Sequence, residues 1–100
     1  MNAKKDTAIV CFAYKRPNHL KKCLSSISQN KKAKFLPLIV YVDGPKYSYE
    51  KGKILEVLDV IKSIKGFSSV IIRERKRNIG LYLSLTKGIT EVFKEYNKYL

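Results

Sequence analysis

Three short apolar runs alternate with three segments of helical period, and this alternation limits the chain to few architectures. Residues 8–14, AIVCFAY, are rich in strand formers. KRPN interrupts the run. Leu20, Cys23, Leu24 and Ile27 then recur at helical spacing, which predicts a helix to about Gln29. Asn18 is the candidate N-cap, and Pro17 suits the first helical position. NKKAKFLP reads as a loop, and residues 38–42 as a second strand. Gly44, Pro45 and Gly52 mark the next connection. Ile54, Leu55, Leu58, Ile61 and Ile64 form an apolar helix face, with Gly66 as its C′ stop. Residues 68–74, SSVIIRE, are the third strand. Leu81, Leu85, Ile89, Val92, Phe93 and Tyr96 trace a third helix to the end of the chain. Within it Ser84 and Gly88, one turn apart, allow close packing on a sheet.

The order is therefore β-α-β-α-β-α. Continuous apolar strands with short connections predict a parallel sheet covered on both faces. The expected class is α/β, a three-layer Rossmann-like domain occupying residues 1–100. A chain of 100 residues can bury one core, and 45% hydrophobic residues suffice to fold it. Such sheets bind ligands beyond the carboxyl ends of their strands. YKRP, DGPK and RERKRNIG fall there.

Lys and Arg number 21 against 8 Asp and Glu, a net charge of +13. That balance attracts anions: nucleic acid, acidic lipid headgroups or a phosphorylated small molecule. Most lysines are scattered as on a solvated surface, while Lys31-Lys32 and the RERKR of residues 73–77 keep an anion site open. Cys11 and Cys23 belong to no C-x-x-C or Cys/His cluster, so they do not argue for zinc. They read as buried free thiols of a cytosolic protein. No apolar run approaches the roughly 20 residues of a membrane span. MNAKKDT is not followed by a signal-peptide core. The expected location is cytoplasmic, with peripheral contact at a membrane's inner face left open.

Asp43 stands where the second strand ends. A carboxylate there accepts hydrogen bonds from a base or from sugar hydroxyls, or it caps its own Gly44-Pro45 turn. Arg16 and Lys15 either meet a phosphate near a helix N-terminus or remain solvated. His19, the one histidine, sits in a first helical turn and suits a surface or capping role. Asn78 and Gly80 form either a plain strand-to-helix turn or one that brings backbone close to a ligand. Arg73, Arg75 and Arg77 either contact a diphosphate or face solvent. Asp43, Glu56, Asp59 and Glu74 show no paired arrangement for acid–base work, and no Ser/His/Asp set can be assembled. No catalytic residue and no metal ligand is assigned. G-x-G-x-x-G and P-loop signatures are missing from the sequence.

Taken together, AIVCFAYKRPNHLKKCLSSI, LIVYVDGPK and RNIGLYLSLTKGITEVF resemble the amino-terminal half of a GT-A type glycosyltransferase. The likeness is to family-2-like bacterial enzymes acting on surface polysaccharide or lipopolysaccharide, and it spans residues 8–99. It implies a nucleotide-binding half in which Ala13, Tyr14 and Arg16 border the nucleotide. Asp43 would contact the base, commonly uracil. Asn78 and Gly80 would form the N-x-G turn near the nucleotide or ribose, and Arg77 would support the diphosphate. The full enzyme implied uses a nucleotide-diphosphate sugar, a carbohydrate acceptor and a divalent metal, Mn or Mg. An acidic motif ending a fourth strand would hold that metal, in a sheet ordered 3-2-1-4. No D-x-D occurs in this sequence, so the chain is expected to be a truncated donor-binding half, inactive alone and carrying no cofactor. Its first strand, lacking the fourth, would be an edge. A homo-oligomer through that strand or the third helix follows. The alternative is a basic nucleic-acid-binding α/β module, although no RNP-like motif or recognition helix is found and no specific nucleic acid is expected.

Overall fold

The structure, a computed structural model, describes residues 5–99. Strand β1 (Lys5–Ala13) leads to α1 (Pro17–Ser28), β2 (Pro37–Val42), α2 (Lys51–Ser63), β3 (Ser69–Glu74), α3 (Gly80–Glu95) and β4 (Tyr96–Tyr99). Single 3-10 turns, Ala33–Phe35 and Ser48–Glu50, precede β2 and α2. The sheet is wholly parallel, in the order β3-β2-β1-β4. The α/β class and the parallel sheet are those expected.

The fourth strand is a correction. The third helix stops at Glu95, and Tyr96–Tyr99 pairs with Lys5, Thr7 and Ala8 of β1. No glycine or proline marks this change. Pairing with a strand some 90 residues earlier in sequence overrides the helical period. The first half of β1 is therefore not an open edge, which removes that part of the argument for association. From Ile9 to Ala13, β1 pairs with β2 and has no strand on its other side among the described residues.

Strand side chains alternate between faces. Ile9, Leu38, Val40 and Val42 pack under α1 and α2, against Leu20, Leu24, Ile54, Val57 and Ile61. Ala8, Ile39 and Tyr41 face α3 and meet Val92. Burying each large side chain stabilises the fold by about 1.5–3 kcal/mol. Helix α2 buries Val57 rather than Leu55, which is 62% exposed. Its C-cap is Ile64. Gly66 adopts a positive φ of 103° two residues later, in the loop to β3, rather than as the C′ residue.

Helix α3 buries Ser84, Gly88 and Val92, a stripe of i, i+4, i+8 spacing. A Cβ at Gly88 would lie 2.7 Å from the Phe12 ring and 3.2 Å from that of Tyr41. The bare glycine lets the helix settle on these two rings, which stack at 5.4 Å. The close packing expected of Ser84 and Gly88 is present. Leu81 and Phe93, expected on the buried face, are exposed instead. Small residues, not large apolar ones, mark the seam.

Candidate functional site

One cleft of about 410 Å³ opens between α1 and α3, beside the unpaired half of β1. Its walls are largely apolar, formed by Phe12, Ala13, the Tyr14 ring, Leu20 and Leu81. Lys15, Arg16 and His19 make one side basic, while Asp43 and Ser84 contribute polar groups. Four expected site residues, Ala13, Tyr14, Arg16 and Asp43, thus share one cavity.

The local sequence explains the basic side. Pro17 opens α1 at its first position, as expected, so Arg16 rather than Asn18 is the N-cap. Arg16 supplies no side-chain cap, and the positive end of the helix dipole remains uncompensated by any acidic residue in the first turn. The Arg16 side chain is exposed, with no ion pair among the described residues.

Asp43 follows β2 on the same parity as Ile39 and Tyr41, so it turns toward α3. It is 5% exposed. Oδ1 accepts the N–H of Gly44 at 2.9 Å and of Ile79 at 3.0 Å. Oδ2 accepts the N–H of Gly80 at 3.1 Å. The carboxylate therefore holds its own turn and also caps α3 from another element. Asn78 donates from Nδ2 to the Gly44 carbonyl at 3.1 Å and accepts the Gly80 N–H at 3.1 Å. Gly80 needs its positive φ of 82° to make this turn.

Arg77, Asn78 and Gly80 are not part of the cleft wall. Asn78 and Gly80 act on it indirectly, by fixing Asp43. Arg77 is exposed, and its backbone packs against Gly44, where a Cβ would come within 2.5 Å of the Arg77 carbonyl carbon. Arg73 and Arg75 also lie away from the cleft. Arg73 donates to the Tyr41 hydroxyl at 2.7 Å and pairs with Glu95 at 2.8 Å, and Arg75 approaches Glu91 at 3.8 Å. These arginines bind β3 to α3.

Sequence reasoning missed Glu50. It is 2% exposed and accepts hydrogen bonds from the Tyr14 hydroxyl, from Lys15 Nζ at 2.8 Å and from the Lys46 N–H at 2.9 Å. Lys15, then Tyr14 and the Lys46 and Tyr47 amides, hold its carboxyl at about 2. Glu50 thus ties the loop after β1 to the loop after β2 and shapes one rim of the cleft. Its only local signal is an acid just before a helix. Its main partners lie 35 and 36 residues away.

Cys11 and Cys23 both line the cleft. Cys11 is half-buried, whereas Cys23 is exposed, against the expectation that both are buried. Burial, and then the neighbouring Cys23, push the Cys11 thiol up to about 11.

No three or more His, Cys, Asp or Glu among the described residues are grouped to hold a metal ion. The acidic motif that the resemblance implies for a metal is not among these residues. No helix among them is long and apolar enough to cross a membrane. Searches of protein-family models, curated proteins and solved structures found no match to this chain.

Proposed function

We propose that this chain is the nucleotide-binding half of a GT-A type glycosyltransferase, taking the nucleotide of a nucleotide-diphosphate sugar, with uridine as the base. The full enzyme would pass the sugar to a carbohydrate or lipopolysaccharide acceptor. One observation carries the reading: the apolar cleft at the strand ends joins a buried carboxylate, Asp43, to a basic side formed by Arg16, Lys15 and His19. A base is planar and largely apolar with a hydrogen-bonding edge, and a diphosphate is anionic. The cleft offers groups for both, at the edge where parallel α/β sheets take ligands. The sheet order β3-β2-β1-β4 also agrees with the order that the resemblance implies.

The geometry refines the roles. Lys15 is paired with Glu50, so Arg16 is the guanidinium left to meet phosphate. Asp43 Oδ2 accepts one hydrogen bond and has capacity for another from a base. Asn78 and Gly80 position Asp43 rather than touching the nucleotide, and Arg77 plays no part in the cleft. With no assigned catalytic base, residues 1–100 bind without turnover.

The test is an NMR titration of the ¹⁵N-labelled chain with UDP. Expected are shifts in residues 13–16, at Asp43 and Gly44, and in the first turns of α3, with a Kd near 1 mM, about 4 kcal/mol of binding. Shifts spread over the lysines instead, matched by random-sequence DNA and abolished by modest salt, would assign the chain to nonspecific polyanion binding.

A further inference from the structure

Lys31, Lys32, Lys34 and Phe35 crowd the short segment before β2. Its backbone is firmly held. Asn30 Oδ1 accepts the Lys32 N–H at 2.9 Å, the Asn30 carbonyl accepts the Ala33 N–H at 3.0 Å, and the Lys32 carbonyl accepts the Phe35 N–H at 3.0 Å. Ala33 is buried and pins the turn to the core. Yet this fixed turn leaves Phe35 71% exposed, with the Lys34 ammonium 5.1 Å from its ring centre. The loop before β3 lies alongside. There the Ser68 N–H donates to the Leu36 carbonyl at 2.9 Å, and Ser69 is in register with Pro37. That loop and the end of α2 add Lys62 and Lys65, both exposed. Residues 28–37 and 62–68 contain no Asp or Glu. None of the five lysines forms an ion pair among the described residues. An aromatic ring thus projects among five unneutralised ammonium groups at the amino ends of β2 and β3, the end of the sheet opposite the cleft.

This combination complements an anionic surface with an apolar interior. Lysines near a membrane are drawn to acidic headgroups while their aliphatic stems follow the apolar region. An aromatic side chain at the same level enters the boundary between headgroups and acyl chains, where its apolar area leaves water. Because the turn is already ordered, presenting the ring costs little further conformational entropy. Single-stranded nucleic acid is a poorer match. It is held in grooves where successive aromatic side chains stack successive bases, and here one ring stands on a projecting turn.

We propose that the turn Ala33–Phe35, together with the lysines around it, is a docking surface for an anionic lipid bilayer, into which the Phe35 ring inserts. The surface and the cleft occupy opposite ends of the sheet, so docking holds whether or not the cleft takes a nucleotide.

The chain has no tryptophan, so Phe35→Trp supplies a single reporter. On vesicles of phosphatidylcholine with about one third phosphatidylglycerol, its emission should shift to the blue and be quenched by brominated acyl chains. On phosphatidylcholine alone neither should occur. Co-sedimentation with the same vesicles at physiological salt measures affinity. Lys31→Gln, Lys32→Gln and Lys34→Gln combined should lose at least about twentyfold, from several-fold per lysine. Lys76→Gln, Lys87→Gln and Lys94→Gln combined remove the same charge elsewhere and should lose less than about threefold. Phe35→Ala should lose about tenfold. All these side chains are exposed, so the fold should persist, with thermal unfolding as the check. Failure of the wild type to bind the anionic vesicles overturns the proposal. So do unshifted tryptophan emission on bound protein and equal losses in the two triple variants. Binding of single-stranded RNA that falls with Lys31, Lys32 and Lys34, while the vesicles stay unbound, overturns it as well and assigns the patch to nucleic acid.

Discussion

The Asp43 carboxylate and the Gly80 amide stand 3.1 Å apart, joining the end of β2 to the start of α3. The same carboxylate takes the amides of Gly44 and Ile79. A residue that reads as either a ligand contact or the cap of its own turn is thus also the cap of a 16-residue helix. Asp43→Ala leaves these amides without their acceptor and removes a negative charge from a helix N-terminus. The expected destabilisation is about 3 kcal/mol, measured by urea unfolding. Asp43→Asn keeps one acceptor oxygen and should lose less. A loss below about 0.5 kcal/mol for the alanine variant would contradict the capping role. Binding experiments on Asp43 variants therefore need a stability control.

Gly44 and Gly52 are expected to respond oppositely to alanine. At Gly44 the new Cβ meets the Arg77 carbonyl carbon, Cα and nitrogen at 2.5, 2.6 and 2.7 Å, all backbone atoms that no rotamer change can relieve. The expected loss is about 2 kcal/mol, with the loop after β3 displaced from that after β2. At Gly52, early in α2, nothing lies within 4 Å. There the substitution should gain about 0.5 kcal/mol from the lower entropy of the unfolded chain. Equal effects at the two sites would contradict the close approach of the loops.

Glu50 should govern part of the acid stability. Its folded value of about 2 lies below the ordinary value of 4.5. A depressed carboxyl contributes stability that is fully present above 4.5 and lost as pH falls through about 2. The unfolding midpoint of the wild type should therefore drop across this window. Glu50→Gln cannot titrate, so its profile should be flatter there and its stability at neutral pH lower. Parallel profiles for the two proteins between pH 5 and 2 would show that the contacts with Lys15 and Tyr14 do not form in solution.

The two cysteines should label in a fixed order. Cys23 is exposed, while Cys11 is half-buried with its thiol raised to about 11. The thiolate is the reactive form. With iodoacetamide at pH 7.5, peptide mass spectrometry should find modification at Cys23 first. Labelling of Cys11 should quicken roughly tenfold for each pH unit up to about 10, following its thiolate fraction. Equal rates at pH 7.5 would contradict the burial of Cys11 behind α1.

Local pattern determined the class of this protein. Strand formers at residues 8–14, 38–42 and 68–74, each followed by helical spacing, dictate alternating elements because backbone preference and hydrophobic period are properties of neighbours in sequence. They also place Asp43, Arg16 and the loop after β3 at one edge of a sheet. Four of the seven expected site residues line the cleft, and Asn78 and Gly80 border it through Asp43. What the pattern could not supply depends on partners distant along the chain. Tyr96–Tyr99 reads as the continuation of a helix and becomes a strand because β1 offers it a ladder. Glu50 has no sequence signal beyond an acid just before a helix and becomes a junction because Tyr14 and Lys15 converge on it. Arg73 and Arg75 read as possible phosphate ligands, but Glu95 and Glu91 hold them against α3. Such roles are set by which groups the fold brings together after desolvation, and no window along the sequence contains both members of these pairs.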